Sequence, residues 1–219
     1  MQESASLHCR SLGHDLDTLR DREGLGFVVT RLSLELLSPL CAQDEITVRT
    51  WVPESVGLFF NRCYELYKGD TLAARAITVS ALLDLNTRKF LRVSDYDFGF
   101  ETEASLTLSS DTPLRLRLPA ALPLTSVGTR KIVASDLDYN LHMNNTHYPD
   151  MLADFLPDRI GRRVENIAVS YLSEARYGDL LTVCLGTDPT DPNGNVFFLR
   201  ALREDGTVVT EARITAPRV

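Results

Sequence analysis

Residues Ser135–Asn145 read S-D-L-D-Y-N-L-H-M-N-N. Asp136, Asp138, Asn140, His142 and Asn144 share one parity, and Leu137, Tyr139, Leu141 and Met143 share the other. An extended backbone would turn every polar group to one side. Asp and Asn are poor strand formers, however, and an Asn pair is a natural helix cap. Downstream, Pro149 is tolerated only in a first helical turn. The stretch therefore predicts a loop that leads from a strand at roughly 127–135 into a helix at Thr146–Leu156.

Three chemistries fit that loop. Asp138, His142 and His147 could ligate a metal, but their spacing matches neither HExxH nor a two-His facial arrangement. An imidazole oriented by a carboxylate and an amide suits water activation, because histidine titrates near neutrality and an Asn amide can donate to an oxygen that becomes negative. That chemistry calls for a further Glu or Asp from elsewhere in the chain. The bland alternative is a set of turn and cap hydrogen bonds, which Asn144 and Asn145 fit best. His142, four residues after Asp138 and two after Asn140, favours function for the group as a whole.

Outward from the loop, the chain repeats itself. Gly69–Thr78 (GDTLAARAIT) lies over Gly206–Thr215 (GTVVTEARIT), with Gly, Ile and Thr in register. Gln43–Val48 echoes Gly178–Val183. Strand-like alternation runs through Leu32–Leu36, Ile46–Arg49, Leu72–Leu85, Ile167–Leu172, Leu180–Leu185, Val196–Leu202 and Val208–Ile214. The same offset sets Leu7 and His8 against Asn144 and Asn145 and predicts a first helix at Ser6–Leu12. It also carries the mate of the 127–135 strand ahead of Met1, so the first unit is expected to lack its opening strand. The sequence thus divides into a unit at 1–93, a Pro-containing acidic connector at 94–126 expected to lie on the surface, and a unit at 127–219. Each unit reads as a helix with several antiparallel strands, an α+β layer.

Composition narrows the partners. A net charge of −7 disfavours nucleic acid, since phosphate binding needs a surplus of Lys and Arg. No window approaches the ~20 apolar residues of a membrane span, and the N-terminus has no apolar signal core; a cytoplasmic protein is expected. The four cysteines, at 9, 41, 63 and 184, form no CxxC pair, so neither a zinc site nor a disulfide framework is indicated.

The residues now carry a family likeness. Asp136–Asn145 resembles the D-x-D-x-N-x-H-x-N-N signature of acyl-ACP thioesterases. Gly26–Arg31 is similar to that family's W-V-x-S-R strand, Asp44–Val52 to its G-D-x-[VI]-x-[VI]-x-T-W-V pattern, and Asn86–Lys89 to its D-T-R-[RK] turn. The resemblance implies a double hotdog, in which two tandem units each wrap an antiparallel sheet around a helix and the second unit carries the catalytic loop. It maps Asp138, Asn140 and His142 onto the family's catalytic Asp, Asn and His. Glu174 of Tyr171–Ala175 falls on the family's Glu. Ala175 stands where a Cys often follows, so a cysteine nucleophile at that position is chemically impossible here. Leu37 is the repeat mate of Glu174, which implies one site per chain.

The implied activity is hydrolysis of fatty acyl-ACP, or of acyl-CoA, by water activated at His142 and Glu174. Asn140 would hold the carbonyl, and no metal or organic cofactor is implied. Acyl carrier protein is the implied partner, and a homodimer is a further option. Two rivals are a non-catalytic acyl-binding or carrier-docking hotdog and a 3-hydroxyacyl-thioester dehydratase. Arg159, Arg162 and Arg163 could meet a carrier's acidic surface or simply be solvated. Trp51, Phe59 and Phe60 could line an acyl tunnel or pack a core. His8 and His14 read as surface or cap residues.

Overall fold

A computed structural model describes residues 1–219. The chain divides into two compact units, Met1–Leu108 and Ser109–Val219. No helix is long and apolar enough to cross a membrane.

The first unit opens with helices α1 (Gln2–Ser11) and α2 (Leu16–Glu23), followed by strands β1 (Leu25–Leu36), β2 (Ile46–Pro53), β3 (Phe59–Lys68), β4 (Thr71–Asp84), the short β5 (Lys89–Leu91) and β6 (Thr102–Glu103). Its strands lie in the order β6-β2-β3-β4-β1, with β5 against the end of β4. Asp15 starts α2 by accepting from the Thr18 N–H at 3.4 Å, and Leu19 anchors the helix in the core with Leu25, Phe60, Leu82 and Phe98. This helix was not legible from periodicity, because Leu19 is its one buried residue.

The second unit contains β7 (Thr125–Lys131), helix α3 (His147–Ala153), β8 (Asn166–Tyr171), β9 (Leu180–Thr187), β10 (Val196–Leu202) and β11 (Val208–Thr215), with strand order β8-β11-β10-β9-β7. Order β2-β3-β4-β1 in the first unit recurs as β9-β10-β11-β8 in the second, which is the repeat seen in the sequence. Gly69 and Gly206 sit at the matching hairpin turns with φ of 56° and 81°. In that left-handed region a glycine meets no Cβ penalty.

The units differ at one edge. β7 pairs antiparallel with β9 over Thr125–Lys131, whereas the corresponding edge of β2 is met by β6 alone, in parallel, through Val52 with Thr102 and Pro53 with Glu103. The segment after β5 is fastened there by the Trp51 Nε1–H donating to the Ala104 carbonyl at 2.8 Å, the Leu106 N–H to Cys63 Sγ at 3.5 Å, and an Arg49–Glu103 ion pair at 2.8 Å. An open strand edge is a template for unwanted pairing, and this strap covers part of it.

The connector therefore differs from its surface reading. Phe98 is 3% exposed and its ring lies 5.2 Å from Phe27 and 5.6 Å from Phe60. Leu116 packs with Val196 and Phe198. The His pair also has company: His8 Nδ1 is 2.8 Å from Arg62 Nη1, and His14 meets Tyr96 and Phe98 edge-on. Pro and acidic residues set the connector's average polarity, but its apolar side chains are the ones turned inward.

If Phe98 anchors the strap, Phe98→Ala lowers unfolding free energy by about 3 to 5 kcal/mol in urea titration. A strap merely resting on the surface would change stability by no more than about 0.5 kcal/mol.

Candidate active site

The quoted stretch folds as the predicted loop between β7 and α3. A three-residue 3₁₀ turn at Ala134–Asp136 is followed by a tight reversal in which Leu137 bridges Met143. The Asp138 N–H donates to the His142 carbonyl at 2.8 Å, and the Leu141 N–H donates to the Asp138 carbonyl at 3.0 Å. Asp138 Oδ1 accepts from the Asn140 N–H at 2.8 Å and from the His142 N–H at 3.3 Å. Its carboxylate thus holds the turn rather than the imidazole. Leu141, at the tip, has a φ of 63° and is 69% exposed. That conformation is uncommon for a residue other than Gly or Asn.

At the helix entrance, Asn144 Oδ1 accepts from the Thr146 N–H at 3.0 Å and its hydroxyl at 2.9 Å. The cap expected at the Asn pair is not formed: Thr146 is the N-cap and makes no side-chain cap hydrogen bond, and Asn144 instead closes a turn just ahead of the helix. Asn145 contributes its carbonyl, which accepts from the Tyr171 hydroxyl at 3.0 Å.

Backbone pairing then delivers the distant carboxylate. The Met143 N–H donates to the Ala175 carbonyl at 2.8 Å, and His142 pairs antiparallel with Arg176. As a result His142 Nε2 lies 3.1 Å from Glu174 Oε2. The imidazole is 30% and the carboxylate 55% exposed, so the pair opens to water. Of the four sequence-predicted residues, His142 and Glu174 meet directly and Asp138 holds the backbone of the other two loop members. Asn140 is exposed in the turn and is held by its own N–H.

Two neighbours escaped sequence reasoning. Arg176 Nη2 lies 3.4 Å from Glu174 Oε2; the signal was the i, i+2 spacing, which places both side chains on one side of an extended segment. Tyr148, buried on α3, packs edge-on against Tyr171 at 5.5 Å. Burial pushes its phenol up to about 12; a backbone hydrogen bond at Ala175 opposes this, and the carboxylates of Asp179, Glu174 and Asp138 add to it. The hydroxyl thus belongs to the same carboxylate-rich corner.

Comparison with known proteins bears on this arrangement. Residues 1–98 match the acyl-ACP thioesterase N-terminal domain, and residues 127–215 match the acyl-ACP thioesterase C-terminal domain. The chain belongs to the acyl-ACP thioesterase family. It is 25% identical over 232 residues to the chloroplastic acyl-[acyl-carrier-protein] hydrolase FATB3 of Cuphea viscosissima, and 23% identical over 238 residues to the chloroplastic oleoyl-acyl carrier protein thioesterase of Coriandrum sativum. Each alignment covers 97% of this chain, but the chain spans only 55% and 62% of those relatives. The crystal structure of an acyl-ACP thioesterase from Bacteroides thetaiotaomicron superposes with a TM-score of 0.74 at 23% identity, covering 98% of this chain and 86% of that one. The tandem hotdog architecture is thereby shared.

In this acyl-ACP thioesterase family member, the other singled-out residues have structural roles. Arg162 is buried, donates to the carbonyls of Pro157 and Ala216 at 2.7 Å each, and stacks on Phe197. It is an internal brace and not the solvated or docking residue considered from sequence. Arg163 pairs with Glu165, and Arg159 donates to the Arg162 carbonyl. Trp51 and Phe60 are core residues, while Phe59 is partly exposed beneath Arg31.

Leu141→Gly, which removes a Cβ from a left-handed position, raises stability by about 1 kcal/mol in chemical denaturation. For Tyr148, the folded state holds the phenolic proton more tightly than the unfolded chain. Its contribution to stability is intact below pH ~10 and is lost as pH rises towards about 12. Tyr148→Phe makes the alkaline fall in stability shallower by up to about one proton, and phenolate absorbance then shows one fewer late-titrating tyrosine.

Proposed function

We propose that the chain hydrolyses fatty acyl thioesters carried on acyl carrier protein, or on coenzyme A, with water as nucleophile. The observation that carries this reading is the 3.1 Å approach of His142 Nε2 to Glu174 Oε2 in a loop shaped by Asp138. The substrate class comes from the relatives, an acyl-[acyl-carrier-protein] hydrolase and an oleoyl-acyl carrier protein thioesterase.

With Glu174 ionised, the His142 Nε2–H donates to Oε2, and the other carboxylate oxygen accepts a proton from water. The hydroxide equivalent attacks the thioester carbonyl carbon. Negative charge moves to the carbonyl oxygen, towards which the Asn140 amide donates. Collapse of the tetrahedral species breaks the C–S bond, and the pair returns its proton to the departing sulfur. The products are a fatty acid and a free thiol. Ala175 has no nucleophile to offer, so no acyl-enzyme forms at that position. Asp138 acts by holding the turn.

Thiol release, followed with a thiol reagent on acyl-ACP and acyl-CoA of graded length, tests the assignment. His142→Ala and Glu174→Gln lower kcat by about 10²- to 10⁴-fold, and Asn140→Ala by about 10²- to 10³-fold, with circular dichroism unchanged. Wild-type rates in His142→Ala would sink it. Binding of acyl carrier without thiol release would favour the non-catalytic rival.

A further inference from the structure

We infer that Asp136, the first acid of the quoted stretch, is a positioning residue: with Arg130 it clamps both ends of the loop that presents His142 to Glu174. The inference rests on the thioesterase reading for its kinetic consequence and on geometry alone for the clamp.

Asp136 is 5% exposed and every arm of it is engaged. Carboxylate Oδ1 accepts from Arg130 Nη2 at 2.7 Å, and Oδ2 accepts from the Val133 N–H at 2.8 Å. The backbone N–H donates to the Val133 carbonyl at 3.0 Å, and the backbone carbonyl accepts from the Asn144 N–H at 2.8 Å. His147 Nδ1, on the first residue of α3, lies 3.7 Å from Oδ1. Arg130 sits on β7 opposite Leu181 of β9 and also donates to the Lys131 carbonyl at 2.8 Å. One residue therefore joins the end of β7, the 3₁₀ turn and the entrance to α3.

The loop between its two anchors is Leu137–Met143, which contains Asp138, Asn140 and His142. Asp138 shapes that loop from inside, and Asp136 fixes where its ends stand. A neutral turn residue could satisfy the Val133 N–H alone. Here the guanidinium and the Val133 N–H are accepted by different oxygens, and Asn would put an NH2 donor in place of one of them. An ion pair with one buried and one exposed partner is weak evidence of added stability, which leaves geometric definition of the loop as its distinctive contribution. Displacing an aligned group by ~1 Å can cost a rate on the order of 100-fold.

The test uses the full chain and the variants Asp136→Asn, Arg130→Gln and Arg130→Lys, with two readouts. In thiol release, Asp136→Asn and Arg130→Gln lower kcat by roughly 10- to 100-fold while KM stays within about twofold, the mark of lost transition-state alignment rather than lost binding. Arg130→Lys recovers most of the rate. In amide hydrogen exchange, both damaging variants speed exchange at Asn144 and Met143 without matching acceleration in β10 and β11. Unchanged kcat with unchanged Asn144 exchange in Arg130→Gln overturns the proposal, as does a uniform rise in exchange across the unit. Should Asp136→Asn not fold, Arg130→Gln decides, because that side chain is 38% exposed on an edge strand. Should the wild-type chain release no thiol from any substrate, the thioesterase reading falls, while local exchange at Asn144 still decides the clamp.

Discussion

Two backbone contacts govern the site: the Met143 N–H to the Ala175 carbonyl, and the pairing of His142 with Arg176. Neither involves a reactive side chain. Together they splice the loop before α3 onto the turn between β8 and β9, and the imidazole meets a carboxylate 32 positions later in the chain. Much else in the second unit serves that splice. β8 and β9 hold one side through pairing with β11 and with β10 and β7, and the Asn144 turn ahead of α3 holds the other. A side-chain pair as exposed as His142 and Glu174 would contribute little orientation unaided, because surface ion pairs are weak; here the main chain does the orienting.

The two units show how a repeat can diverge without losing its sheet. Their inner strand orders agree, and their hairpin glycines coincide. What differs is the edge, where β7 supplies seven residues in the second unit and β6 supplies two in the first. The strap makes up for its short pairing by side-chain fastening, through Trp51, Cys63 and Arg49, and by the insertion of Phe98 into an aromatic cluster. Glu174 has no counterpart in the first unit, where Leu37 occupies the equivalent position and is exposed.

Legibility in the sequence followed the physics of each element. The loop could be read because Asp and Asn pattern against strand and towards turns, and Asp138 and Asn144 both close turns there. The repeat could be read because hairpin glycines and strand alternation survive divergence. Glu174 came from family resemblance, since nothing local to Tyr171–Ala175 points across space to His142. Helix α2 was missed because it buries one leucine, and β3 because Arg62, Glu65 and Lys68 obscure its period. Phe98 was hidden by acidic neighbours whose side chains face away from the core. Asp136 and Asp138 share a parity in the sequence, but one carboxylate turns inward to Arg130 and the other holds the turn.

Ala175 has a further consequence when set beside the openness of the dyad. A thiol nucleophile would pass through a covalent acyl intermediate, formed as the substrate thiol departs and then hydrolysed by water. Direct attack by water has no such stage, and the co-substrate is the solvent itself. On that proposal, a carboxylate more than half exposed gives the reagent open access. The only sulfur taking part is the one that arrives with the substrate, which makes the proposed chemistry indifferent to oxidants that would silence a cysteine enzyme.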